Sequence, residues 1–138
     1  MPKREPPPTG EKQPFPLEIK RAKVVSGAGR GRGLNVPTLN IDLNAVPSGL
    51  SHGIYACWIN IGGRKYMGAM HYGPRPVFKD SDSLEIHVID SIIAQPPETA
   101  DLTVVARLRD VRNFPGPEEL KAAIKTDIEQ VRAILSGA

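Results

Sequence analysis

The feature that most constrains this chain is a change of period. Residues 84–89, Leu84-Glu85-Ile86-His87-Val88-Ile89, alternate apolar and polar as far as Val88, which is the pattern of a half-buried strand. Further on, Leu120, Ile124, Ile128, Val131 and Leu135 recur at steps of four, four, three and four, which is one stripe along a helix. Residues 17–26, 53–60, 64–72 and 102–108 also read as strands, and Gly62-Gly63 reads as a tight hairpin turn between two of them. Residues 44–53 read as a connection, and Pro74 and Pro76 interrupt the pattern after residue 72. Pro115 and Pro117 punctuate the start of the helix and Gly137 suits its end. Five or six short strands followed by one helix predict a small antiparallel barrel with the helix packed outside.

A chain of 138 residues fits a single domain. Residues 1–14 are rich in proline and charge and read as a disordered tail, leaving 15–138 as the barrel domain. No apolar stretch approaches a membrane span, and the N-terminus lacks the apolar core of a signal peptide. The lone Cys57 lies in an apolar run and reads as a buried structural thiol. These features predict a cytoplasmic protein with no membrane partner, and a monomer is expected.

Charge is uneven. Residues 1–32 hold eight Lys and Arg against three Asp and Glu. That basic end overlaps Gly27-Ala28-Gly29-Arg30-Gly31-Arg32-Gly33, which is followed by Pro37-Thr38-Leu39-Asn40. Glycines let backbone N–H groups approach an anion, and arginines place positive charge where phosphates would sit. Thr38 and Asn40 carry neutral oxygens, ligands that Mg²⁺ accepts beside phosphate oxygens. A site for a magnesium-bound nucleotide is therefore the first expectation. It is not a known phosphate loop, because Gly-x-x-x-x-Gly-Lys-Ser/Thr is absent and Gly-x-Gly-x-x-Gly fails at Arg32 and at Leu34. A basic barrel that binds RNA would need aromatic stacking platforms, and residues 15–54 offer Phe15 alone. No nucleic-acid partner is expected.

Other residues have plainer readings. His71 and His87 lack a third ligand at metal spacing and read as surface or site-lining histidines. Arg107, Arg109 and Arg112 could form a basic patch, although a solvated turn accounts for two of them. Trp58 reads as core or barrel wall.

The succession Gly27-x-Gly29-Arg30-Gly31, Pro37-Thr38-x-Asn40, Gly53-Ile54-Tyr55-Ala56, Gly73-x-Arg75-Pro76-x-Phe78, Leu84-Glu85-x-His87, Leu108-Arg109 and Phe114 resembles the riboflavin kinase (flavokinase) family over residues 17–136. More closely, it resembles the kinase module of bacterial bifunctional enzymes that make FMN and FAD. The resemblance implies a mainly β fold, a six-stranded antiparallel Greek-key barrel with a C-terminal helix. It implies transfer of phosphate from ATP to the 5′-hydroxyl of riboflavin, with Mg²⁺ as cofactor and no FAD-forming domain. In that reading Thr38 coordinates the metal and Asn40 assists at the metal or the flavin hydroxyl. Gly27, Gly29, Arg30, Gly31, Arg32 and Gly33 wrap the phosphates, and Glu85 is the general base. Arg109 and Phe114 help to close the flavin site. A barrel of the same fold that binds flavin or nucleotide without turnover is the alternative.

The chain departs from the family pattern at four places. Leu39 replaces the alanine of Pro-Thr-Ala-Asn, and Val77 replaces the threonine of Arg-Pro-Thr-Phe. Residues 91–101 lack the usual Asp-Leu-Tyr-Gly segment, and Val111 stands where the family carries an acidic residue. The last two fall near the flavin side, so weaker riboflavin binding is expected there than at the nucleotide.

Overall fold

The computed structural model describes residues 15–25, 38–74, 82–91, 93 and 95–137. The expected tail at 1–14, the glycine loop from Gly27 to Gly33 and the Arg75–Phe78 motif lie outside the described residues.

Six strands form a closed barrel: β1 (Leu17–Val25), β2 (Thr38–Ile41), β3 (Gly53–Ile61), β4 (Arg64–Pro74), β5 (Asp82–Val88) and β6 (Thr99–Arg109). Around the barrel the order is β1-β2-β5-β4-β3-β6, and every neighbouring pair is antiparallel. β3, β4 and β5 run as a meander and β6 returns beside β3, which is the Greek-key connection. One helix, α1 (Pro117–Leu135), lies outside, against β3, β4 and β6.

The sequence dictates several of these boundaries. Gly62 and Gly63 take φ of +59° and +88°, as a two-residue hairpin turn of the type I′ class requires, and Ile61 pairs with Arg64 across it. Pro117 opens the helix at a position where its missing N–H costs nothing, and Glu118 and Glu119 place negative charge at the positive end of the dipole. β4 runs on to Pro74 instead of stopping at residue 72, because Pro74 sits at the strand's end, where its missing N–H is tolerated. β2 is a strand of four residues, too short to show a period of its own.

Alternation divides each strand between two environments. Leu39, Ile41, Tyr55, Cys57, Ile59, Met70, Leu84, Ile86, Val88, Leu102 and Val104 fill the barrel interior. Phe15 packs on this core, its ring centroid 6.1 Å from that of Tyr55. A second cluster of Ala56, Ala69, Ile89 and Val131 seals the helix to the outer wall, with Met67, Leu108, Ile128, Ile134 and Leu135 around it. Ala69, Ala56 and Ala106 are neighbours across β4, β3 and β6. Three methyl groups side by side leave a shallow floor on which a helix can seat closely. Trp58 is on the outer wall, with the Lys65 ammonium 4.8 Å from its ring centre.

Candidate functional site

The outer wall carries two rows of residues that run across the strands. In the first, Asn40 on β2 pairs with Glu85 on β5, Glu85 pairs with His71 on β4, His71 pairs with Ile54 on β3, and Ile54 pairs with Arg109 on β6. In the second, Thr38 pairs with His87, and His87 with Ala69 at the start of the alanine floor. Directly paired residues on one face have Cβ atoms about 4.5–5.5 Å apart, so each row is a line of side chains in reach of one another. Thr38, Asn40 and Glu85, expected to act together, thus stand on one surface.

β2 joins this surface to the glycine loop. Residues 26–37 connect β1 to β2, and Val25, the last residue of β1, pairs with Asn40. Both anchors of the loop are therefore at the Thr38–Asn40 segment. Spaced two apart on one strand, Thr38 and Asn40 present their oxygens to the same side. This donor set fits Mg²⁺: the oxygens are hard and neutral, and phosphate oxygens supply the negative charge. No group of three or more His, Cys, Asp and Glu side chains able to hold a metal on its own occurs among the described residues. A cation here would be held jointly by protein and phosphate.

The two histidines are more enclosed than the sequence suggests. His87 is near enough to Asp127 of the helix to feel its charge, and burial pushes its imidazole down to about 4; His71 adds to this and Asp127 opposes it. Burial also lowers the pKa of His71, against an upward pull from Glu85. Both rings are therefore neutral at physiological pH.

Arg109 is engaged with the helix. Its Nε donates to Asp127 Oδ1 at 2.9 Å and its Nη2 to Oδ2 at 2.8 Å, a two-pronged clamp on a carboxylate whose side chain is only 6% exposed. Nη1 donates to the Asp110 carbonyl at 2.9 Å. Arg109 thus fastens β6 to α1. Phe114 sits between Arg109 and Arg112, whose guanidinium carbons are 5.8 and 5.6 Å from its ring centre. Arg107 and Arg109 belong to β6, and Arg112 alone of the three is an exposed residue of the connection to α1. Arg107 turns toward the barrel end, donating to the His52 carbonyl at 2.6 Å and to Asp110 Oδ1 at 2.7 Å. That packing explains the glycine of Gly53-Ile54-Tyr55-Ala56, since a Cβ at Gly53 would stand 2.7 Å from Arg107 Nε.

The sequence reading missed Asp127. Its position does carry a signal, because it falls on the buried face of the helix between Ile124 and Val131. A carboxylate there needs a partner, and β6 supplies one. Of residues 91–101, Ile93 packs against the barrel core and Thr99–Asp101 open β6.

Comparison with known proteins agrees with this geometry. A family model described as Flavokinase, riboflavin kinase, matches residues 14–135. Riboflavin kinase of Mus musculus is 34% identical over 119 residues, covering 81% of this chain and 77% of the mouse protein. The bifunctional riboflavin kinase/FMN adenylyltransferase of Pseudomonas fluorescens is 32% identical over 116 residues, covering 81% of this chain and 36% of that protein. Among solved structures, riboflavin kinase from Trypanosoma brucei shares the fold with a TM-score of 0.57 at 19% identity, over 85% of this chain and 78% of that one.

Proposed function

The chain belongs to the riboflavin kinase family, a family of phosphotransferases with ATP and riboflavin as substrates, and from that premise we propose how its own residues divide the work. The observation that carries the reading is the pairing of Asn40 with Glu85, with Thr38 one step along the same face. It brings two neutral oxygen donors and one carboxylate onto a single rigid wall at the foot of the glycine loop.

In this reading the γ-phosphoryl group passes from ATP to the 5′-oxygen of riboflavin. The bond from phosphorus to the bridging oxygen of ADP breaks as the bond to the ribityl oxygen forms. Glu85 takes the hydroxyl proton as that oxygen becomes a phosphate ester. An alcohol is too weak an acid to ionise beforehand, so a carboxylate helps most in the transition state itself. Such transfers depend chiefly on position and charge, and a strand holds its side chains more firmly than a loop. Thr38 and Asn40 would hold Mg²⁺ against the phosphates, where the ion supplies neutralisation of the developing charge. The Gly27–Gly33 segment would wrap the phosphates with its N–H groups, and Arg30 and Arg32 would add charge. Phe114 would border the flavin, steadied by Arg109 and Arg112, while Arg109 acts as the brace behind it. The protein is proposed to work as a monomer in the cytoplasm.

The test is incubation with riboflavin, ATP and Mg²⁺, with FMN separated by chromatography. The reading requires FMN to form and to need all three. Binding of both substrates with no FMN would leave a barrel that holds its ligands without turnover.

A further inference from the structure

His71 is the member of the first row that the proposed reaction does not use. Its two ring nitrogens are buried, and neither completes a well-formed hydrogen bond among the described residues, although the backbone carbonyls of His71 itself and of Pro74 lie close enough to act on the ring. Burying such a group without a partner is unfavourable, so an orphan of this kind calls for an explanation. In its row His71 stands between Ile54, which offers its side no hydrogen bond, and Glu85, which accepts them. The charged groups acting on it are Glu85 from β5 and Arg109 from β6, with the neutral His87 beside it and Asp127 of α1 beyond His87.

We propose that His71 is a positioning residue for Glu85: its ring N–H holds one carboxylate oxygen from the neighbouring strand and leaves the other aimed at the ribityl hydroxyl. The inference rests on Glu85 being the base. The bond closes when substrate orders the carboxylate, since catalytic hydrogen bonds tighten in the substrate complex. His71 keeps its proton throughout. The single proton in motion goes from the hydroxyl to Glu85, and from there to water after FMN leaves. Burial keeps the ring neutral, so it offers one donor without adding a charge that would oppose the base.

The experiment is a double-mutant cycle on purified protein, with kcat and KM for riboflavin measured separately. His71→Leu is expected to lower kcat by about ten- to a hundredfold with KM for riboflavin little changed, the scale of a misplaced catalytic group. His71→Gln, which keeps a donor, is expected to recover most of that loss. In the Glu85→Gln background, His71→Leu is expected to cost nothing further, because the group it positions is already gone. Should His71→Leu fail to fold, His71→Phe, which keeps a flat ring and deletes both nitrogens, carries the same cycle. An unchanged kcat, a loss confined to KM, or the same loss in both backgrounds would overturn the proposal. A small effect of Glu85→Gln alone would instead remove the base assignment, and that single variant separates the two failures.

Discussion

Asp127 accepts both prongs of the Arg109 guanidinium, at 2.9 and 2.8 Å, from inside the interface between helix and barrel. A charge pair this enclosed does not by itself imply stability, because both ions have lost water. Its effect is geometric: it ties the middle of the helix to the last residue of β6, whose guanidinium also lies 5.8 Å from the centre of the Phe114 ring.

Breaking that pair on one side should be costly. Asp127→Leu leaves an unpaired guanidinium under the helix and is expected to lower stability by about 3–5 kcal/mol. The double variant Arg109→Met/Asp127→Leu should regain much of it, since apolar replacement of both partners removes the stranded charge. Urea unfolding midpoints for the three proteins decide this. A loss under about 1 kcal/mol in the single variant would mean that the clamp is incidental.

Glu85→Gln keeps the shape of the side chain and removes the base. The expected fall in kcat is about 10²–10⁴-fold, with ATP affinity nearly unchanged. Steady-state rates together with nucleotide titration check both halves.

Thr38→Val deletes one oxygen and retains the branched shape of a strand residue. Turnover should fall strongly at low Mg²⁺ while the melting temperature holds. A folded variant with an unaltered magnesium dependence would free Thr38 from the metal.

Stability should depend on acidity through the buried histidines. His87 is pushed down to about 4 from 6.5, and His71 shifts the same way. Between those two values the unfolded chain binds a proton that the folded chain refuses, so stability rises with pH. The contribution is complete above about pH 6.5 and drains away as pH falls toward 4, with a ceiling of about 3 kcal/mol for His87. Thermal melts from pH 4 to 8 should show the decline, and His87→Gln should make it shallower, leaving the part that His71 contributes.

Cys57 is fully enclosed in the barrel, and burial pushes its thiol up to about 12. Little thiolate exists at neutral pH, so a thiol reagent should label the chain only after denaturation. Rapid labelling of the native protein would mean that the barrel opens easily.

Much of this architecture is written locally. The alternation of residues 84–89 puts Leu84, Ile86 and Val88 inside and Glu85 and His87 outside, as the structure has them. The helical stripe likewise meets the outer wall through Ile128, Val131 and Leu135. The rest was hidden for a physical reason. Which side chains face one another across strands depends on register, and register between β2, β5 and β4 is a property of the closed sheet. The row from Asn40 to Arg109 spans residues almost seventy positions apart. His71 looks like an ordinary strand residue in the sequence, and the partner that Asp127 needs shows only once β6 brings Arg109 against the helix.

The pairing of β1 with β6 has a consequence for how the protein is made. Leu17 lies across from Val104, so the first strand waits for the last. Partners so distant in the chain are slow to meet, because the loop must close before any contact repays it. During synthesis at about 5–20 residues per second, β1 is exposed for some seconds before β6 emerges. β2, β5 and β4 share no such wait for the terminal strand, so the wall that bears Asn40, Glu85 and His71 can assemble before the ring is sealed.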